Sequence, residues 1–194
     1  MKKILLIQGH PKKESFCGAL FDAYQAGVME SDAEVRVIQL KDLPLEQYLR
    51  YDFSPGNQVG QEIIQVRNDI TWADHLVFFH PVWWGGTPAI LKCFIDIVFA
   101  SGFAFQYRSE SQFPEQLLKG KTAHIFTTLD SPPFLYRYVW GAPSVNQLKK
   151  RTLEFCGIRP VKVTYVGPIR HSTNTMRDSY LAGARVYGKA EGRL

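Results

Sequence analysis

Five short apolar, partly β-branched runs, separated by stretches with helical spacing, dictate most of what this 194-residue chain can become. The runs are KILLIQ (3–8), AEVRVIQL (33–40), HLVFFH (75–80), TAHIFTT (122–128) and VKVTYVG (161–167). The first and third are almost continuously apolar, as expected of strands buried on both faces. Between the runs, Phe16, Leu20, Ala23 and Gly27 recur at helical intervals, and Ile63, Ile64, Val66 and Ile70 mark a second helix ending near Trp72. Thr87 and Pro88 form an N-cap and first-turn pair opening a third helix, which runs to about Phe99. Val145, Leu148, Leu153 and Phe155 predict a fourth, closed by Gly157 ahead of Pro160, and a weaker fifth lies around 175–188.

Strand–helix alternation means βαβ crossovers, hence a parallel sheet with helices on both faces. The expectation is an α/β, flavodoxin-like, doubly wound five-stranded sheet in the order 2-1-3-4-5, forming one domain over residues 1–194. In such a sheet the ligand crevice lies beyond the carboxyl ends of the strands, so the loops after strands one, three and four should carry function. The connections 41–57 and 129–143 exceed ordinary turns and read as lids or interfaces.

Composition narrows the class. With 45% hydrophobic and 21% charged residues the chain is globular rather than disordered. The net charge of +5 suits anionic ligands such as phosphates, while the scattered placement of the basic residues and the lack of a known motif argue against nucleic acid. Cys17, Cys93 and Cys156 are odd in number and far apart, and the five histidines lack ligand spacing, so neither a disulfide framework nor a metal site is expected. The apolar core of the N-terminal segment, Ile4–Ile7, is shorter than a signal peptide needs, and no stretch approaches the ~18 apolar residues of a membrane span. A cytoplasmic location is the corresponding expectation.

Three loops read as chemistry. In QGHPKKESFCG (8–18), Ser15 caps the first helix and frees the amides of Phe16 and Cys17 for an anion, with His10 and the Ser15 hydroxyl as further donors. A plain helix cap beside a surface histidine is the simpler alternative. No P-loop and no GxGxxG occurs, which argues against ATPases and Rossmann dehydrogenases. After strand three, His80-Pro81-Val82-Trp83-Trp84-Gly85-Gly86-Thr87-Pro88 could hold a flat conjugated ligand against the indoles while backbone amides approach its edge. The alternative is that the two tryptophans fill a core or a subunit contact. After strand four, Thr127 and Thr128 offer hydroxyls and backbone donors at the crevice, and Asp130 either accepts from a ligand or starts the Ser131-Pro132-Pro133 turn. The segment from Phe134 to Trp140 is too apolar for a freely solvated loop and should be a site wall, a lid or a dimer contact. Because apolar residues surround the third helix except at Lys92 and Asp96, a partner subunit is a further expectation.

Together GHPxxxSF (9–16), PVWWGGTPAILKCFID (81–96) and GFAF (102–105) resemble the flavodoxin-2 family. That family comprises NAD(P)H:quinone oxidoreductases of the DT-diaphorase type, bacterial modulator-of-drug-activity reductases and flavin-containing ancillary subunits of potassium-efflux systems. The resemblance implies a flavin, FMN with FAD as the alternative, whose phosphate rests on His10, Ser15, Phe16 and Cys17. Its ring would lie along Pro81, Val82, Trp83, Trp84 and Gly85, with Thr127 and Thr128 beyond, in a site formed across a homodimer. The implied activity is ping-pong: hydride passes from NAD(P)H to flavin N5, and then to a quinone or similar flat electrophile. The alternative is a flavin-bearing ancillary subunit with a membrane partner. Eukaryotic members carry two glycines after the Thr-Thr pair, then a tyrosine and a histidine that assist hydride transfer. Here Leu129-Asp130 follows and no histidine occurs from 125 to 170, which leaves Asp130 and Tyr136 as the candidates for that role.

Overall fold

A computed structural model describes residues 1–12, 14–49, 58–108, 111 and 113–193. Five parallel strands form one sheet: β1 (Lys3–Gln8), β2 (Glu34–Gln39), β3 (His75–Pro81), β4 (Thr122–Thr128) and β5 (Val161–Val166). Their spatial order is β2-β1-β3-β4-β5, the expected one. The helices are α1 (Phe16–Val28), α2 (Gln61–Trp72), α3 (Ala89–Val98), α4 (Pro143–Leu148) and α5 (Asn174–Arg193). A short antiparallel ribbon pairs Phe105–Gln106 with Glu115–Gln116.

Side chains of a strand alternate between faces, and each apolar run divides accordingly. Leu5, Ile7, Leu76, Phe78, Ala123 and Ile125 face α2, α3 and α4, whereas Ile4, Leu6, Val77, Phe79 and Phe126 face α1 and α5. On the second face Phe79 and Phe126 stack at 4.9 Å between centroids, and Tyr24 meets both edge-on at 5.6 and 5.5 Å. The α1–α5 pair packs closely because glycines lie at the crossing. A Cβ at Gly27 would fall 2.0 Å from the Arg185 carbonyl oxygen, and one at Gly188 would fall 2.1 Å from that of Tyr24.

Beneath that crossing, at the amino ends of the strands, a buried carboxylate ties α5 to the sheet. Glu191 accepts from Tyr24 Oη (2.6 Å) and Lys162 Nζ (3.1 Å), and it contacts His75 Nε2 (3.2 Å) and His124 Nδ1 (3.1 Å). Burial alone would raise its pKa, but the hydrogen bonds from His124, His75 and Tyr24 outweigh that and hold it low.

Two expectations change in detail. The third helix begins one residue later than Thr87–Pro88 predicts: Pro88 is itself the extended N-cap, and Thr87 Oγ1 donates to Gln147 instead. The fourth helix is broken, because after Leu148 the chain widens into an i→i+5 turn over Lys149–Leu153. The buried residues of α3, among them Leu91, Phe94, Ile95 and Val98, are covered within this chain, where the helix meets α2 and helical turns at Leu40–Asp42 and Leu45–Tyr48. Lys92 and Asp96 stay exposed as an i,i+4 ion pair at 2.5 Å. Of the long connection 41–57, residues 50–57 lie outside the described residues. Among the described residues no helix is long and apolar enough to cross a membrane.

Candidate active site

A crevice of about 170 Å³ opens at the carboxyl ends of β1, β3 and β4, on the α1–α5 side of the sheet. It is lined by His10, Ser15, Phe16, Cys17, Pro81, Val82, Trp83, Thr128 and Asp130, all nominated from sequence, and by Leu129 and Ile169, which were not.

The first wall is a helix N-terminus. Ser15 is the extended N-cap of α1 and its Oγ accepts from the Gly18 amide at 3.0 Å, leaving the Phe16 and Cys17 amides without acceptors among the described residues. Such free amides with the positive end of the helix dipole make an anion site. His10 stands beside them, and burial lowers its pKa below the ordinary histidine range. Its Nδ1 accepts from the Lys12 amide at 3.0 Å, so in the neutral ring the proton sits on Nε2, where it can donate to a ligand. The Cys17 thiol is pushed up by burial and packs rather than reacts.

Gln8 organises this loop and was missed from sequence. Its Oε1 accepts from the His10 amide (3.1 Å) and from Cys17 Sγ (3.6 Å), while its Nε2 donates to the Cys17 carbonyl (3.4 Å). The signal was one amide side chain ending an otherwise apolar strand, where a polar group needs a built partner set.

The second wall is a two-residue hairpin. Trp83 N–H donates to the Gly86 carbonyl (3.0 Å) and Gly86 N–H to that of Trp83 (2.8 Å), with Trp84 at φ +51° and Gly85 at φ +76°. Two central residues in the left-handed region define a type I′ turn. Glycine takes that conformation freely, but at Trp84 it costs about 1 kcal/mol or more. The strain turns the Trp84 indole fully into solvent, while Trp83 bends inward and meets His10 edge-on at 5.5 Å. The Trp84 and Gly85 amides stay free among the described residues. Trp84 and Gly85 thus border the crevice without lining it.

The third wall corrects one nomination. Thr127 and Thr128 are consecutive in β4, so their side chains face opposite sides of the sheet and only Thr128 reaches the crevice. The Thr127 hydroxyl is buried on the α3–α4 side with no partner among the described residues, as is His80 Nε2 one strand over. The Thr128 carbonyl is spent on the Val82 amide at 2.7 Å.

Both candidate relay residues are hydrogen-bonded within the chain. The Tyr136 hydroxyl donates to the Gly85 carbonyl and accepts from the Ser144 amide, each at 3.1 Å, so it pins the hairpin to α4. Asp130 accepts from the Arg170 amide at 3.0 Å, holding the segment that carries Ile169 against the crevice. Phe134, Tyr138, Val139 and Trp140 lie exposed, at 54–72% of their full surface.

The crevice can therefore bind an anion at one end and a flat group at the other. The free amides of Phe16, Cys17, Trp84 and Gly85 fit a phosphate-bearing ring system with polar edges, the donor set that FMN requires.

A model of the flavodoxin-2 family, described as a flavodoxin-like fold, matches residues 2–187. The chain is 31% identical over 170 residues to an uncharacterized NAD(P)H oxidoreductase of Haemophilus influenzae, covering 85% of this chain and 83% of that one. It is 36% identical over 112 residues to an FMN-dependent NADH:quinone oxidoreductase of Caldicellulosiruptor saccharolyticus, covering 55% and 52% of the two chains. A crystal structure of a Streptococcus mutans protein superposes with a TM-score of 0.80 at 32% identity, over 97% of this chain and 99% of that one.

Proposed function

The chain belongs to the flavodoxin-2 family, and on that premise we propose that it is an FMN-dependent NAD(P)H oxidoreductase acting on quinones or similar flat electrophiles. The observation that carries the proposal is the meeting of the α1 amides, neutral His10 and the strained Trp83–Gly86 hairpin around one crevice.

Ser15, Phe16, Cys17 and His10 would hold the phosphate. Val82, Trp83, Trp84 and Gly85 would flank the ring, with Thr128 closing the far side. The chemistry that bound FMN supplies is transfer of a hydride, taken from NAD(P)H and given to the acceptor after the oxidised nucleotide has left. The protein binds, orients and excludes water. The free Trp84 and Gly85 amides would offer donors to a ring edge on which negative charge develops. The Tyr136 hydroxyl proton is engaged by the Gly85 carbonyl, so acceptor protonation would not come from it, whereas Asp130 lines the crevice with one oxygen bonded to the Arg170 amide.

The protein would work as a homodimer. Fully exposed Trp84 and the exposed aliphatic and aromatic segment at 138–140 are costly to leave in water, and contiguous apolar surface marks a contact. The test is a visible spectrum of protein mixed with FMN, then anaerobic NADPH, then a benzoquinone. Flavin bands retained through desalting, bleached by the nucleotide and restored by the quinone are expected. Protein that elutes colourless after incubation with FMN or FAD would overturn the reading.

A further inference from the structure

Strand β5 ends the sheet, and one side of it is open. Ala123 N–H donates to the Pro160 carbonyl and Leu129 N–H to that of Val166, so the even-numbered residues of β5 point their backbone groups at β4. The amides and carbonyls of Val161, Val163 and Tyr165 therefore face away from β4 and have no partner among the described residues; Val161 is buried, so the accessible part of the edge runs over half-buried Val163 and Tyr165. Unpaired edges of this kind are templates for another strand.

Beside the edge runs a groove of about 630 Å³. Arg137, Lys149, Lys150 and Lys162 line it, and no aspartate or glutamate does. Lys162 is engaged by Glu191 at 3.1 Å, and Lys149 lies 3.8 Å from Glu154. Arg137 and Lys150 have no carboxylate partner among the described residues. The Arg137 guanidinium sits 5.0 Å from the Tyr138 ring centre and 5.8 Å from that of Tyr165, poised over the end of the strand.

We propose that the free edge of β5 and its groove dock an extended acidic segment of another protein, which adds to the sheet as a sixth strand. Backbone pairing to Val163 and Tyr165 supplies affinity, and carboxylates on alternate residues meet Arg137 and Lys150. A second copy of this chain is the wrong occupant, because pairing β5 with itself would bring the same cations together. The groove shares no lining residue with the crevice, so the inference stands apart from the proposed chemistry, and of the segment at 138–140 only Tyr138 lines it.

The probe is a synthetic peptide of about eight residues alternating glutamate with valine and threonine. Its controls are a lysine-for-glutamate version and one N-methylated at alternate amides along one edge. Titrated against the labelled FMN-loaded protein and followed by NMR, the acidic peptide should shift the amides of Val163 and Tyr165 and slow their exchange. Binding should weaken with salt, fail for the lysine version, and fall about tenfold or more on N-methylation. The Arg137→Glu, Lys150→Glu double variant, with unchanged amide dispersion, should lose it.

Equal binding of the N-methylated peptide, or no binding at about 1 mM, would overturn the proposal. So would protection of these amides that rises with protein concentration alone and persists in a Val139→Ser, Trp140→Ser variant, which would assign the edge to a second copy.

Discussion

At the scale of single residues, the site depends on conformations that sequence composition does not report. Trp84 is the clearest case. Its type and place were legible, but nothing in PVWWGG announces that a tryptophan, rather than a glycine or asparagine, takes the left-handed position of a type I′ turn. Replacing Trp84 by glycine removes that strain without uncovering any core. Trp84→Gly should therefore raise the unfolding free energy by a few tenths to about 1 kcal/mol in urea titrations. Glycine keeps the backbone amide at this position, and the lost indole points into solvent, so FMN affinity should change by less than about threefold. Lower stability, or a tenfold loss of FMN affinity, would contradict this account of Trp84. His80 gives a pH signature. Its Nδ1 donates to the Pro81 carbonyl at 3.0 Å, and burial pushes its pKa down to about 4. The unfolded chain takes up that proton near pH 6.5, before the folded one does, so stability falls as pH drops from about 6.5 to about 4. The loss is up to about 3 kcal/mol. His80→Leu should flatten that part of the acid profile in urea unfolding, and an unchanged slope would refute the assignment.

At the scale of elements, the strands were read within a residue or two because buried parallel strands announce themselves as apolar runs. What sequence could not give was how the helices seat. Gly27 enters the sequence only as one position of a helical repeat and Gly188 only as the end of the last one, yet they are where α1 and α5 touch backbone to backbone. Thr127 and Thr128 looked equivalent, yet strand alternation sends them to opposite layers. The α1–α5 contact bears on the crevice because α5 also braces Phe16, through Tyr180 edge-on at 6.3 Å and Arg177 at 5.9 Å. A methyl at Gly188 must part the helices at the Tyr24 carbonyl. Gly188→Ala should thus cost about 2 kcal/mol of stability. By moving the α1 amides it should also raise the FMN dissociation constant, while Gly183→Ala in the same helix, with open space around it, should do neither. Identical behaviour of the two variants in thermal melts and FMN titrations would sink this account.

At the scale of the whole molecule, the crevice sits at the rim of an exposed aromatic surface contributed by two loops. The sequence marked the segment from Phe134 to Trp140 as too apolar for solvent. It could not say that Tyr136 alone turns inward while Tyr138, Val139 and Trp140 stay outside, since that sorting follows from the Gly85 and Ser144 hydrogen bonds. If the outward set is a dimer contact, light scattering should return twice the 22.2 kDa chain mass. Val139→Ser with Trp140→Ser should shift the protein to monomer and weaken FMN retention, and a wild-type monomer at micromolar concentration would dismiss the dimer. The hairpin has one more consequence, an optical one. Trp84 stands fully in water with Trp83 beside it, whereas Trp72 is half-covered beneath the Arg36 guanidinium at 4.1 Å. Emission from the hairpin pair should be red-shifted in the free protein, and a chromophore settling between the walls should quench it. The turn that strains the backbone thus makes the protein its own label-free fluorescent sensor of whatever fills the crevice.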